Sequence, residues 1–275
     1  MRCLLAAAVL AAAGCSTQQP RQAGTDNRFI VLGPSLVELM FESGLGDRIV
    51  GVDRYSTWPP GTEDIPGVGG YVDPSVERIV ALEPTSIHVS GRSSTIREIA
   101  GSLGVPCYSY DFDSLEGVFS ALDSLDARYG AGAARFRERL EARLDSLEAI
   151  MEPVAPLSVM IVVYHEKGSS SMTVAGRETF FADILERVGC EISSPGAGSW
   201  PMVSTEGVLS LSPDHIILLF PGRTDSAAVR RWEEPFWESL GFQADRIHCL
   251  FQPYMMIPGG RLGETAERIC SCLLW

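Results

Sequence analysis

A chain of 275 residues can bury one large core or two domains of ordinary size. Its 45% hydrophobic and 21% charged content describes a globular, soluble protein. The formal net charge of −13, with no basic stripe anywhere, argues against nucleic acid as a partner, because phosphates call for clustered Lys and Arg.

Met1-Arg2 is a short positive start, and Cys3 to Ala13 is an apolar run of eleven residues. That run is shorter than the roughly 20 residues a bilayer span needs and suits the core of a signal peptide. Ala12-Ala13-Gly14-Cys15-Ser16 follows, and small residues directly before a cysteine resemble the bacterial lipoprotein signal, with Ala12 where Leu is usual. Residues 1–14 are therefore expected to be a signal peptide. Cys15 is the expected lipidation site, and residues 15–27 form a polar, membrane-anchored tether; an ordinary secretory signal is the alternative. Either way the protein is exported, to the periplasm or the cell surface. Five further thiols, Cys107, Cys190, Cys249, Cys270 and Cys272, cannot all pair within one chain. Cys270-x-Cys272 lacks the second Cys or His pair of a metal site.

Arg28 to Leu32 is a short strand, and Ser35 caps a helix carrying Leu36, Leu39, Met40 and Phe41. Strand Ile49 to Val52 leads into a loop rich in Pro, Gly and aromatics that runs from Tyr55 to Tyr71. Asp73-Pro74 opens a short helix, and strand Ser86 to Val89 follows it. A helix from Ile96 to Leu103, a strand from Val105 to Tyr110 and a helix starting at Asp113 come next. Between Ala131 and Met151, Phe136, Leu140, Leu144, Leu147 and Met151 form one apolar stripe at helical period, a rod of roughly 30 Å. Beyond Pro153 and Pro156 the rhythm restarts: strand Val159 to Tyr164, loop GSSSMTVAG, helix Thr179 to Val188 and a loop from Ser193 to Pro201. Strand His215 to Phe220, a helix from Val229 to Leu240 containing a Pro, strand Ile247 to Phe251 and a closing helix from Leu262 complete the chain.

Similar segments flank the rod. SVERIVALEPTSI (Ser75 to Ile87) aligns without a gap to STEGVLSLSPDHI (Ser204 to Ile216), and Gly69 and Tyr71 keep the same spacing to Gly198 and Trp200. The chain thus reads as α/β: two lobes with largely parallel sheets, residues 28–112 and 157–275, bridged by a helical connection over 113–156. Ligands in such sheets bind beyond the carboxyl ends of the strands. The side chains gathered there are Tyr55, Trp58, Tyr71, Tyr164, Trp200 and Tyr254, with Arg92 and Arg261 in reach, which suits a broad, flat, partly apolar ligand.

Enzyme signatures such as G-x-S-x-G, H-E-x-x-H and the P-loop are absent. His215 and His248 lie within apolar strands and read as structural, whereas His88 and His165 fall near strand ends and are candidates to face a cleft. The competing readings are a metal-assisted hydrolase using His88, His165 and Glu166, and an interaction module for another envelope protein.

RFIVLGPSLVELMFESGLGDRIVGVDRYSTWPP, VGGYVDPSVERIVALEPTSI and SWPMVSTEGVLSLSPDHIILL resemble the periplasmic binding proteins of metal-chelate ABC importers, the vitamin B12- and ferric-siderophore-binding proteins among them. The resemblance covers about residues 28–275. It implies a monomer without enzymatic activity or resident cofactor, clamping a cobalamin-type corrinoid or ferric siderophore between its lobes and handing it to a dimeric membrane permease. Haem is the alternative cargo, with Tyr164 or His165 as axial ligand. Tyr55, Tyr71, Tyr164 and Trp200 match aromatic cleft positions of the B12 binders. Ser90-Gly91-Arg92 stands where those proteins carry a tryptophan, which leaves room for an anionic chelate met by Arg92 and Arg261. The resemblance also implies a Cys190–Cys270 disulfide, with Cys272 as second choice of partner, and permease docking through Glu77 and Glu206.

Overall fold

The computed structural model describes residues 27–130 and 132–274; the expected signal peptide, Cys15 and nearly all of the tether lie outside the described residues. The first lobe is built on β1 (Phe29–Leu32), β2 (Ile49–Val52), β3 (Ser86–Ser90) and β4 (Cys107–Tyr110), all parallel and ordered β2-β1-β3-β4. Helices α1 (Pro34–Glu42), α2 (Val76–Ala81) and α3 (Ser94–Leu103) supply its crossovers. β1 is buried along its whole length, as a parallel strand covered on both faces must be. Two helices, α4 (Leu115–Tyr129) and α5 (Ala133–Met151), then carry the chain to the second lobe.

That lobe contains β5 (Ser158–His165), β6 (Ser171–Val174), α6 (Phe180–Arg187), β7 (Glu191–Ile192), β8 (Met202–Ser204) and α7 (Thr205–Leu211). β9 (His215–Leu219), α8 (Ser226–Ser239), β10 (Ile247–Leu250) and α9 (Leu262–Leu273) follow. Its sheet runs β10-β9-β5-β6-β8, with β7 pairing the first residues of β5. The parallel part, β7-β5-β9-β10, repeats the first lobe's order, and the antiparallel strands β6 and β8 are an addition. Sequence reading places β6 in a loop, because SMTV is too short for its alternation to stand out.

The internal repeat survives in the backbone. Among the described residues the two non-glycine positions with positive φ are Glu83 (45°) and Ser212 (47°), which occupy one position of the repeat. Gly69 (96°) and Gly198 (110°) form a second such pair. Ser75 and Ser204 both cap their helices, accepting from the amides of Arg78 and Gly207 at 3.4 and 3.2 Å. The first of these helices therefore begins after Ser75 and not at Pro74: the Ser75 hydroxyl accepts from the Arg78 amide, a cap for which the proline ring has no acceptor atom. Likewise Ser114, not Asp113, caps α4, and α1 starts one residue before Ser35 with Pro34 in its first turn.

Phe136, Leu140, Leu144, Leu147 and Met151 of α5 are all buried in a single hydrophobic cluster. That cluster includes Phe29 and Val31 of the first sheet and Val159, Ile161 and Ile217 of the second. The rod is thus part of both cores. Among the described residues no helix is long and apolar enough to cross a membrane.

Candidate functional site

The site is framed where β1, β2 and β3 end. Asp53, buried directly after β2, takes hydrogen bonds from the amides of Gly33, Tyr55 (2.7 Å) and Ser56 (3.1 Å) and from the Ser56 hydroxyl (3.0 Å). One carboxylate thereby staples the β1–α1 turn to the loop that carries Tyr55 and Trp58. Gly33 sits in that turn at φ 122°, where a Cβ would meet the Ser90 side chain at 2.4 Å and the Tyr71 hydroxyl at 2.7 Å. Tyr71 therefore stands over the ends of β1 and β3; its ring is half-buried, and burial raises the phenol above its ordinary pKa while Ser90 draws it down. Sequence reading passes over Asp53, although an acid directly after an apolar strand, with Ser three residues on, is the pattern of a side chain that organises a turn.

Tyr55 is 61% exposed, with the Arg54 guanidinium 5.9 Å from its ring centre. In the second lobe Tyr164 projects near the end of β5, paired with Thr173 and 63% exposed. Trp200, 43% exposed, meets Phe181 edge to face at 6.5 Å. Tyr55 and Tyr164 remain open to solvent at the carboxyl ends of β2 and β5, and Trp200 just ahead of β8, although aromatic side chains of this size normally carry a core. Arg92 is exposed and shares a depression of about 330 Å³ with Ser109, Asp111 and Asp113, so two carboxylates border its charge.

Arg261 and Tyr254 are placed differently. The Arg261 guanidinium lies 4.6 Å from the ring centre of Trp58 and 4.7 Å from that of Tyr254, and it donates to Glu38 at 2.6 Å. Tyr254 is 9% exposed, so its face serves the arginine. Glu77 and Glu206 sit exposed in the first turns of α2 and α7.

The histidines do not face a cleft. His88 is fully buried in β3, held between the hydroxyls of Ser86 (2.9 Å), Tyr110 (3.0 Å) and Tyr129 (3.0 Å). His165 is buried too: its Nδ1 lies 3.1 Å from Glu233, which also accepts from Trp237 at 2.9 Å. Strand position alone suggested otherwise, because alternation puts every second residue inward and the register decides which. His215 and His248 contact one another at 3.0 Å, as a structural pair would. Among the described residues no group of three His, Cys, Asp or Glu is placed to hold a metal ion, and the hydrolase reading finds no support.

The Cys190–Cys270 bridge is not formed; all five described cysteines are free. Cys190 turns its sulfur toward the Val188 carbonyl at 3.9 Å, and both thiols are packed as apolar groups in the core that α5 crosses. Burial pushes the Cys270 thiol up to about 12.

Two α/β lobes with solvent-facing aromatics near their strand ends offer the kind of surface that suits a flat, partly apolar ligand. The chain belongs to the periplasmic binding protein family, whose sequence profile matches residues 30–230. It is 28% identical over 258 residues to the vitamin B12-binding protein of Vibrio campbellii, covering 90% of each chain. The crystal structure of the periplasmic vitamin B12 binding protein of Vibrio cholerae superposes with a TM-score of 0.74 at 20% identity, over 90% of this chain and 96% of that one. The periplasmic heme binding protein of the same organism gives 0.74 at 23% identity, over 90% and 99%.

The buried histidines set an acid limit. Burial lowers His88 to about 3 and His248 to about 4, and it lowers His215 as well, so these rings are neutral in the folded protein. The unfolded chain protonates them near the ordinary value of 6.5, so stability falls as pH drops from there toward 3. His165 acts oppositely: burial, the largest single influence, would lower it, but the hydrogen bond and charge of Glu233 and the Ser169 carbonyl together raise it, so its contribution is present at low pH and lost as pH rises through its folded pKa. Urea midpoints measured from pH 7 to 4 are expected to fall less steeply in His88→Gln than in the native protein. Equal slopes would show that His88 does not set the acid limit.

Proposed function

We propose that this chain is the substrate-binding component of an ABC importer, capturing a metal chelate, a cobalamin-type corrinoid or a ferric siderophore, between its lobes. The observation that carries this reading is the set of exposed rings at the strand ends of both lobes, Tyr55, Tyr164 and Trp200, together with the half-buried Tyr71. Flat, rigid aromatic faces lose little entropy on binding and match a macrocycle or catecholate. Arg92 is an exposed cation at these ends that an anionic chelate would meet. The family match and the relatives named for vitamin B12 and heme support an exported carrier without catalytic chemistry. Haem is the second reading, favoured by the exposed Tyr164 phenol as an axial ligand; the buried His165 is already engaged by Glu233.

Titrating the ligand-free protein with cobalamin, haem and ferric siderophores, read by absorbance and tryptophan fluorescence, identifies the cargo. Tyr71→Ala and Trp200→Ala are each expected to weaken the chelate that binds by more than tenfold, since a buried aromatic anchor is worth about 2 kcal/mol or more. Unchanged affinity in both variants removes them from the site.

Glu77 and Glu206 are the proposed contacts to a dimeric permease. An acid in the first turn of a helix complements its dipole by about 0.3–1 kcal/mol, which accounts for each glutamate singly. Their placement at one repeat position, with exposed Val80 and Leu209 also sharing a position beside them, suits a partner with two-fold symmetry. Glu77→Ala with Glu206→Ala should abolish transport or permease association while chelate affinity persists. Transport that survives the pair would leave them as helix-stabilising acids only. The same carrier is proposed to be tethered through a lipid on Cys15; Cys15→Ser should move it from the detergent phase to the aqueous phase, and equal partitioning would rule the anchor out.

A further inference from the structure

We propose that Glu38 and Arg261 form a latch between the lobes that fixes their relative orientation, and with it the width of the cleft. The two residues are 223 positions apart in sequence. Glu38 lies on α1 of the first lobe, and Arg261 directly precedes α9 of the second. The guanidinium donates through Nη2 to Oε1 at 2.6 Å and through Nε to Oε2 at 3.4 Å, and the Arg261 amide adds a bond to Oε2 at 3.2 Å. The Arg261 and Glu38 side chains are 13% and 2% exposed. The Trp58 ring from the first lobe and the Tyr254 ring from the second both lie within cation–π reach of the guanidinium, so both lobes contact one cation.

The backbone is cut to fit. A Cβ on Gly259 would meet Glu38 Oε2 at 2.9 Å and the Ser35 Cα at 3.1 Å, and one on Gly260 would meet the Glu42 Cγ at 3.0 Å. The segment entering α9 can therefore lie directly against α1. Stability does not explain the pair. Burial raises the Glu38 carboxyl in spite of Arg261, and a buried ion pair commonly stabilises no more than apolar side chains of the same volume. What a forked, doubly bonded and stacked arginine supplies is direction. Arg261 is accordingly a positioning residue: its charge is spent within the protein and acts on the ligand through the gap it sets between the aromatic faces.

The latch is read in the ligand-free protein, so its outcome is separate from the identity of the cargo. Spin labels are attached at Glu98→Cys in α3 and Glu238→Cys in α8, both exposed, in a background of Cys107→Ser that removes the half-buried native thiol. The native pair should give one narrow interlobe distance. Glu38→Leu with Arg261→Leu keeps the volume apolar and leaves no orphaned charge; it should retain native circular dichroism while the distance distribution broadens and lengthens. Arg261→Lys keeps the charge but loses the fork, and should fall between the two. A double variant with the native narrow distribution overturns the proposal and leaves α5 as the sole determinant of lobe geometry. Should the double variant fail to fold, Arg261→Lys decides on the same measurement, a native distribution again overturning the latch.

Discussion

The arrangement depends on one helix serving two cores at once. The apolar face of α5 is buried in a cluster that continues from β1 of the first sheet to β5 and β9 of the second. Each of its large apolar side chains contributes about 1.5–3 kcal/mol by leaving water. A helix end lacking a side-chain cap, as at Gly132, is tolerable when packing supplies the stability. The surrounding ion pairs, Arg139–Glu42 to α1, Arg143–Glu267 to α9 and Arg187–Asp145 to α6, are half-exposed and worth little each. The buried stripe itself fixes which face of α5 turns inward.

A bridge of this kind constrains function. Two lobes joined by flexible strands can swing widely, and each closure then costs ordering entropy that binding must offset. Here α5 is anchored in both cores, and the junction at Glu38, Trp58, Tyr254 and Arg261 adds a second contact between lobes. The Asp53 carboxylate does the same locally, holding the Tyr55 loop against the turn after β1.

The duplicated helix–strand unit shows how one backbone solution accommodates different interiors. Glu83 and Ser212 adopt the same left-handed turn, and the strands that follow occupy the same place in their sheets. Within that frame β3 buries His88 among hydroxyls, whereas β9 places Ile217 in the corresponding strand and the second lobe buries its own polar cluster at His165, Glu233 and Trp237. Such clusters tolerate burial because their members satisfy one another, and they tie neighbouring elements together in each lobe.

Local pattern made much of this legible. The step of the apolar residues along α5, the ungapped repeat, the bounds of β2 and, to within one residue, those of β9 can be read in the chain, because helical period, capping and strand alternation act between residues close in sequence. The aromatics of the strand-end loops could be picked out for the same reason. Tertiary structure alone decided what each polar side chain meets. Arg261 reads as a free cation until the segment entering α9 is docked on α1 and Glu38 is found beside it; His88 and His165 read as cleft residues until sheet register turns them inward; the bridge that the family resemblance implies for Cys190 and Cys270 gives way to two packed free thiols. The strands β6 and β8 need each other and β5 to exist at all, since segments this short gain their hydrogen bonds only from neighbours. Period belongs to the chain, but the partner of a buried charge belongs to the fold, because it is chosen by contacts across hundreds of residues that no local pattern encodes.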